Sequence, residues 1–218
     1  MTVTEDLKEH IRKGTTTVGI MCTDGVVLAA DKRATAGGRI VLDKDVEKVF
    51  PITENMAVTI AGNVSDAQLI SKLIMAEIRL KKVRTGAEPS SEETANLLAT
   101  IVYQNIRRLS PILGITGFLF AGYDHEGLHL YEIGVDGSLL ASKNYVTDGS
   151  GFMNAFGVLD TLYRKDMKVA DGVKLAVKAI NAAIQRDAAT GEGIDVYTIT
   201  SQGVKKVFAE KINTNIIA

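Results

Sequence analysis

The sequence predicts an α+β fold: two largely antiparallel sheets flanked by helix pairs, in a four-layer αββα sandwich. Two observations carry this expectation. Apolar runs of strand length come as hairpin-linked pairs, and helical periodicities come two at a time between them. Paired helices do not supply the single βαβ crossovers that a doubly wound parallel sheet needs. Two packed sheets with a helix pair outside each would bury every apolar stripe.

Each element follows from local pattern. Thr16 to Cys22 and Val26 to Asp31 are β-rich runs joined by Asp24-Gly25, a strong hairpin signal. Val49 to Ile52 and Met56 to Ala61 form a second pair around Glu54-Asn55. The period then changes. Leu69, Ile70, Leu73, Ile74 and Ile78 follow helical spacing, with Ser65 or Asp66 near the start. Past Gly86 and Pro89, a second helix carries Ala95, Leu98, Ile101, Val102, Ile106 and Leu109. It is expected to stop at Ser110-Pro111, because the residue before a proline disfavours helix. Strands resume at Thr116 to Tyr123, Leu128 to Ile133 and Leu139 to Val146, with turns at Glu126-Gly127 and Asp136-Gly137. Two more helices run from about Phe152 to Tyr163 and through Val169, Val173, Ala176, Val177, Ile180 and Ile184. Ile194 to Thr200 and Val204 to Ala209 flank a last turn at Gln202-Gly203.

Composition narrows the function. The 218 residues suit one domain, and 46% hydrophobic against 23% charged residues marks a globular chain. Lys plus Arg number 25 and Asp plus Glu 26, a net charge of -1 that lends no support to binding nucleic acid or an anionic membrane. Cys22 is the one cysteine, so no internal disulfide can form, and a reducing, cytoplasmic compartment fits best. No stretch approaches the length of a transmembrane helix. His10, His125 and His129 lack zinc-site spacing, and there is no Walker A loop, no G-x-G-x-x-G opening a helix and no G-x-S-x-G elbow. If the chain is an enzyme, it is expected to work without a metal or nucleotide cofactor. Met1 to Gly14 is polar and mixed in charge, without the apolar core of a secretory signal. It reads either as a flexible tail or as a removable pro-segment of residues 1–14 ahead of a domain spanning 15–218.

The junction Gly14-Thr15 gives the second reading its chemistry. A threonine hydroxyl is a weak nucleophile and needs a base. An amino-terminal threonine carries one in its own α-amine, which titrates near ~7.7–8.0. While that nitrogen is an amide it cannot serve, so cleavage before Thr15 must come first. A Gly-Thr pair alone carries no such meaning, and Thr15-Thr16-Thr17-Val18 also reads as the plain start of a strand.

An ordered set of motifs raises the odds. Gly14-Thr15-Thr16-Thr17-Val18-Gly19 comes first, then Ala29-Ala30-Asp31-Lys32-Arg33-Ala34-Thr35-Ala36-Gly37, Glu47-Lys48-Val49 and Thr59-Ile60-Ala61-Gly62. Thr147-Asp148-Gly149-Ser150-Gly151 and Gln185-Arg186-Asp187-Ala188-Ala189-Thr190-Gly191 follow. Together they closely resemble the catalytic proteasome β-subunit family of amino-terminal-nucleophile hydrolases, most of all its archaeal type. The resemblance covers nearly the whole chain from Thr15 onward. It implies the αββα layout and a threonine-type endopeptidase that removes its own leader between Gly14 and Thr15.

The resemblance also implies the supporting residues. Asp31 orients a lysine, which is Lys48 if the loop from Arg39 to Val46 holds one extra residue; an ungapped count gives Glu47, whose carboxylate would raise the amine pKa. Arg33 lies two residues from Asp31, on the same side of an extended strand. Gly62 contributes its N–H to the oxyanion. Ser150, Asp187 and Thr190 form the network around the amino terminus, where Ser150 alone reads as a helix N-cap and Asp187 as a helix-end charge. Ala34, Val46, Ile60 and Val64 line a primary pocket suited to large hydrophobic P1 residues, each also acceptable as plain core. The implied partners are a homo-oligomeric seven-membered β ring, proteasome α-subunit rings, a regulatory ATPase and unfolded polypeptide substrates. A non-catalytic ring subunit and another amino-terminal-nucleophile amidohydrolase stay open as alternatives.

Overall fold

The computed structural model describes residues 12–212. Residues 1–11, most of the expected leader, and residues 213–218 lie outside the described residues. In chain order the elements are β1 (Arg12–Lys13), β2 (Thr16–Met21), β3 (Val26–Asp31), β4 (Ala34–Ala36), β5 (Ile40–Asp43), β6 (Val49–Pro51) and β7 (Met56–Gly62). Helices α1 (Val64–Thr85) and α2 (Ser91–Ile106) follow, then β8 (Thr116–Asp124), β9 (Gly127–Ile133), β10 (Leu139–Ala141) and β11 (Tyr145–Gly149). Helices α3 (Phe152–Leu162) and α4 (Val169–Ile184) precede β12 (Gly193–Thr200) and β13 (Gly203–Lys211).

Two five-stranded sheets result, in the orders β11-β2-β3-β12-β13 and β10-β9-β8-β7-β6. The strand pairs are antiparallel, as the hairpin turns dictate. Side chains alternate across each strand, so both faces of the central strands are buried. From β3, Val26, Leu28 and Ala30 point between the sheets and meet Leu119, Ala121 and Leu130. Val27 and Ala29 point the other way, onto Leu159 of α3 and Ala176 and Ile180 of α4. On the far side Val58, Phe118 and Phe120 pack on Ile70 and Ile74 of α1 and Leu98 and Val102 of α2. Truncating Leu98 or Phe120 to alanine would cost ~2–5 kcal/mol, since the layers around them close up only in part.

Both helices of the first pair are capped by their own sequence. Asn63 accepts from the Ser65 N–H, two residues ahead of the expected Ser65. Ser90 and Glu93 form a reciprocal capping box on α2. Helix α2 ends at Ile106, before the expected Leu109, which is fully exposed and has no core to join.

The run expected as one strand from Leu139 to Val146 is two strands on different sheets. Leu139–Ala141 edges one sheet and Tyr145–Gly149 the other. The chain crosses between layers at residues 142–144, where Ser142 Oγ donates to Tyr145 O and Asn144 O accepts from Met21 N. A further three-stranded sheet, β1-β4-β5, was not expected. Its register sets Lys13 opposite Thr35 and Arg12 opposite Ala36.

Strand ends converge at one place. The β2–β3 register, Thr17 opposite Ala30, sets the start of β2 beside the end of β3. The β11–β2 register, Gly149 opposite Thr16, brings the start of α3 to the same point.

Candidate active site

Thr15 sits at that convergence, buried at the entry to β2. Its Oγ1 donates to the carbonyl oxygen of Gly14 at 2.5 Å. Lys48 Nζ donates to the same oxygen at 3.0 Å. Gly14 has φ +112, and a Cβ there would lie 2.5 Å from Ala189 Cβ and 2.8 Å from Thr35 Oγ1. No other residue type fits that backbone and that space.

The Lys48 ammonium is almost wholly buried and donates to Asp31 Oδ1 at 2.8 Å. Burial pushes its pKa below the ordinary lysine range, and Asp31 opposes the shift. Asp31 is itself saturated. Oδ1 also accepts from Thr16 N at 2.9 Å, while Oδ2 accepts from Arg33 N at 3.0 Å and Gly191 N at 2.9 Å. A carboxylate so held cannot swing, so it fixes the lysine. Glu47 points the other way, onto Lys206 at the surface.

Ser150, Asp187 and Thr190 form a second group. Ser150 Oγ and Thr190 Oγ1 each lie 2.5 Å from Asp187 Oδ2. A hydroxyl has one proton. With both protons directed to the carboxylate, Ser150 Oγ accepts from Thr15 N at 3.4 Å, and Thr16 Oγ1 is the donor in its 2.7 Å bond to Thr190 Oγ1. The Thr15 nitrogen therefore faces an acceptor oriented by Asp187, which is itself bonded to the buried hydroxyl pair Thr190 and Thr16. Ser150 makes no cap bond: the N-cap of α3 is Gly151, without a side-chain cap.

Arg33 is adjacent but does not touch Thr15. Its guanidinium pairs with Glu192 Oε1 at 3.0 Å and donates to Ala188 O at 2.8 Å, which ties down the loop carrying Asp187 and Thr190. Glu192, buried and at φ +67, was missed by the sequence reading, as was Thr16. The positive φ leaves no mark in the sequence; only the neighbouring Gly191 and Gly193 hint at an unusual turn.

A narrow cleft of about 10 Å³, room for about one water molecule, opens beside Thr15. Ala34, Val46, Ile60 and Val64 line it, together with Lys48, Gly62 and the unforeseen Ala67. Gly62 ends β7 at φ +116, where a Cβ would lie 2.2 Å from Ile115 O. Glycine is thus demanded by the neighbouring strand and not by the cleft. A larger hollow of about 250 Å³ between α1 and α2 is lined by none of these residues. It contains no buried ion pair, so volume alone does not mark the chemistry. Among the described residues no His, Cys, Asp or Glu cluster could hold a metal ion, and no helix is long and apolar enough to cross a membrane. Cys22 is buried and its thiol is pushed up to about 12, by burial first and then by Asp24 and Asp171, which makes it inert.

Known proteins resemble this chain along most of its length. The family model described as proteasome subunit matches residues 11–199. A proteasome subunit beta of Methanocaldococcus fervens is 43% identical over 203 residues, covering 93% of this chain and 88% of the relative. Proteasome subunit beta 2 of Pyrococcus furiosus is 46% identical over 200 residues, 92% of this chain and 93% of the relative. A proteasome subunit beta of Methanococcus aeolicus is 41% identical over 213 residues, 97% and 96% of the two chains. With a family match over most of its residues and these archaeal β subunits as relatives, the chain belongs to the proteasome subunit family, on its β side.

Proposed function

We propose that the chain is a threonine-type endopeptidase subunit of a proteasome core, and that its first substrate is its own Gly14–Thr15 bond. The observation that carries this reading is the convergence of Thr15 Oγ1 and Lys48 Nζ on the Gly14 carbonyl oxygen, at 2.5 and 3.0 Å. The lysine polarises the carbonyl. Rotation of the hydroxyl then lets Oγ1 add to the Gly14 carbonyl carbon. The C–N bond breaks, the hydroxyl proton passes to the departing Thr15 nitrogen, and the leader is left as an ester on Oγ1. Water hydrolyses the ester, freeing residues up to Gly14 and leaving Thr15 with a free hydroxyl and amine.

The same parts then serve other polypeptides. The amine takes the Oγ1 proton, and Ser150 Oγ, held by Asp187, orients the amine. The buried positive charge of Lys48 disfavours protonation of that amine. Gly62 N–H supports the oxyanion at the cleft. The leader strand β1 lies along β4, and a substrate would add to that edge in the same way, with its P1 side chain in the apolar cleft. Ala34, Val46, Ile60 and Val64 offer no charge there, which favours large hydrophobic P1 residues.

The relatives' printed identity supports assembly with α subunits. The reading extends this to seven-membered β rings between α rings, fed with unfolded chains by an ATPase in the cytoplasm. The test is the amino terminus of the chain purified after assembly with α subunits. A mature Thr15, with cleavage of fluorogenic peptides of hydrophobic P1, is expected. Retention of residues 1–14, or turnover of small amides only, refutes it.

A further inference from the structure

The connector of residues 44–48 bears two groups that the proposed reaction needs, the Val46 wall and the Lys48 ammonium, yet it has no regular secondary structure. Val46 N donates to Lys32 O at 3.0 Å and Lys48 O accepts from Ile60 N at 2.9 Å. Around those bonds runs a chain of charges of alternating sign. Lys211 pairs with Asp45 at one end. Asp45 Oδ1 lies 3.0 Å from Lys32 Nζ, which donates to Asp195 Oδ2 at 2.9 Å. Asp195 Oδ1 lies 3.1 Å from Lys206 Nζ, which donates to Glu47 Oε1 at 2.9 Å. The chain thus grips the connector on both sides of Val46 and ties it to β12 and β13.

Its centre is buried and its ends are not. The side chains of Lys32 and Asp195 are 5% and 2% exposed, those of Asp45 and Glu47 more than half. Exposed pairs hold little by themselves, because water and salt screen them. The buried pair differs: either partner left alone is an uncompensated charge, so the geometry that pairs them is strongly favoured. Burial works against the Lys32 ammonium, but its bonds to Asp195 and Asp45 outweigh this and raise its pKa, so it stays charged at working pH.

We propose that Lys32, locked by Asp195, is a positioning residue that holds the connector so that Val46 walls the cleft and Lys48 faces Thr15, and that it thereby sets the selectivity of the primary pocket. This rests on the proposed role of Thr15. Lys32 touches neither Thr15 nor the cleft, so it acts through Asp45 and the Val46 amide.

The test uses the assembled, processed complex with Lys32→Met and Asp45→Asn. The second variant removes only an exposed arm and leaves the buried pair intact, so it remains informative if the first fails to assemble. Two readouts are compared. One is the ratio of kcat/KM for peptides with a large apolar P1 to those with P1 alanine. The other is hydrogen exchange of the Val46 amide, which needs no activity. The ratio is expected to fall ~10-fold, as a misplaced wall costs selectivity, while Val46 exchange accelerates and the complex stays assembled. Unchanged exchange overturns the clamp. Faster exchange with an unchanged ratio overturns the positioning role and leaves a structural tie. Wild-type complex that cleaves neither peptide counts against the role of Thr15, and exchange alone then decides the clamp.

Discussion

Lys48 and Thr15 address one atom from two directions. The ammonium and the hydroxyl both donate to the Gly14 carbonyl oxygen, and the ammonium is also fixed on Asp31. In the proposed reaction, the group that polarises the bond and the group that attacks it are thus in place before cleavage. Thr15→Ala keeps the backbone and removes the attacking atom. It is expected to retain the leader in full and to lower peptide turnover by more than ~10³-fold, with ring assembly unchanged. Intact mass and peptide assays on the assembled complex check both halves.

Gly14→Ala tests the junction from the other side. A methyl group there meets Ala189 Cβ, and the backbone sits at φ +112, where L side chains are strained. Leader removal is expected to slow by ~10-fold or more. A chain expressed to begin at Thr15 regains full peptidase activity, since the mutated residue is gone. Normal processing of Gly14→Ala would show that the junction is looser than the packing indicates.

The Lys48 pKa gives a pH signature. Burial holds it below the ordinary range, so the ammonium is lost at a lower pH than a free lysine at ~10.4. The alkaline fall of kcat/KM is expected below that value. Asp31→Asn removes the charge that opposes burial, so it moves the fall to still lower pH. A wild-type profile flat to pH ~10.4 removes Lys48 as the titrating group. The same shift bears on stability. A buried ammonium costs the folded state at pH below its depressed pKa, and that cost is relieved as pH rises toward the unfolded value.

Ser150 and Asp187 should behave as one unit. Their 2.5 Å bond directs the serine oxygen at Thr15 N. Ser150→Ala and Asp187→Asn are each expected to lower kcat/KM by ~10–100-fold. The double variant should lose little more than the worse single one, because the second change removes nothing that still acts. Losses that multiply would assign the two residues separate roles.

Asp124 offers a stability test away from the cleft. Burial raises its pKa, but the N–H groups of Ser91 and Glu126 and the ring of His129 outweigh this and lower it to about 2. A depressed carboxyl stabilises the fold above its unfolded pKa of ~3.9 and loses that contribution as pH falls toward the folded value. Asp124→Asn is expected to cost ~1–2 kcal/mol at neutral pH, after allowance for solvent at this partly open site. Denaturant melts should show the difference from wild type shrinking below pH ~4. A constant difference would mean that the charge does not matter.

Where the sequence was readable, local geometry wrote the signal. Asp24-Gly25 and Gln202-Gly203 announce hairpins because only certain residues accept those turns, and the stripes of α1 and α4 repeat with the helix. The β4–β5 hairpin also has a turn signal in Gly37-Gly38, both at positive φ, but no strand pattern flanks it. Its strands are short and Ile40, Val41 and Leu42 are exposed, so no buried face imposed an alternation. The division between β10 and β11 was hidden for another reason: a change of sheet alters partners, not local pattern. Site residues were legible only as an ordered set of motifs. Thr15 and Ser150 meet across 135 positions, and no spacing rule foretells that contact. The choice between Glu47 and Lys48 turned on one residue of loop length. In the fold Lys48 turns inward onto Asp31 and Glu47 outward onto Lys206.

The strand from Arg12 to Lys13 leaves β4 with a neighbour on each side, β1 and β5. The seat at that edge is therefore taken by a tethered occupant. A competitor arriving from solution faces a local concentration in the millimolar range, set by the tether and not by the cell. Dilution cannot dislodge such an occupant, and crowding cannot hasten its departure. Under the proposed function, scission of the covalent link is what turns this private seat into a public one.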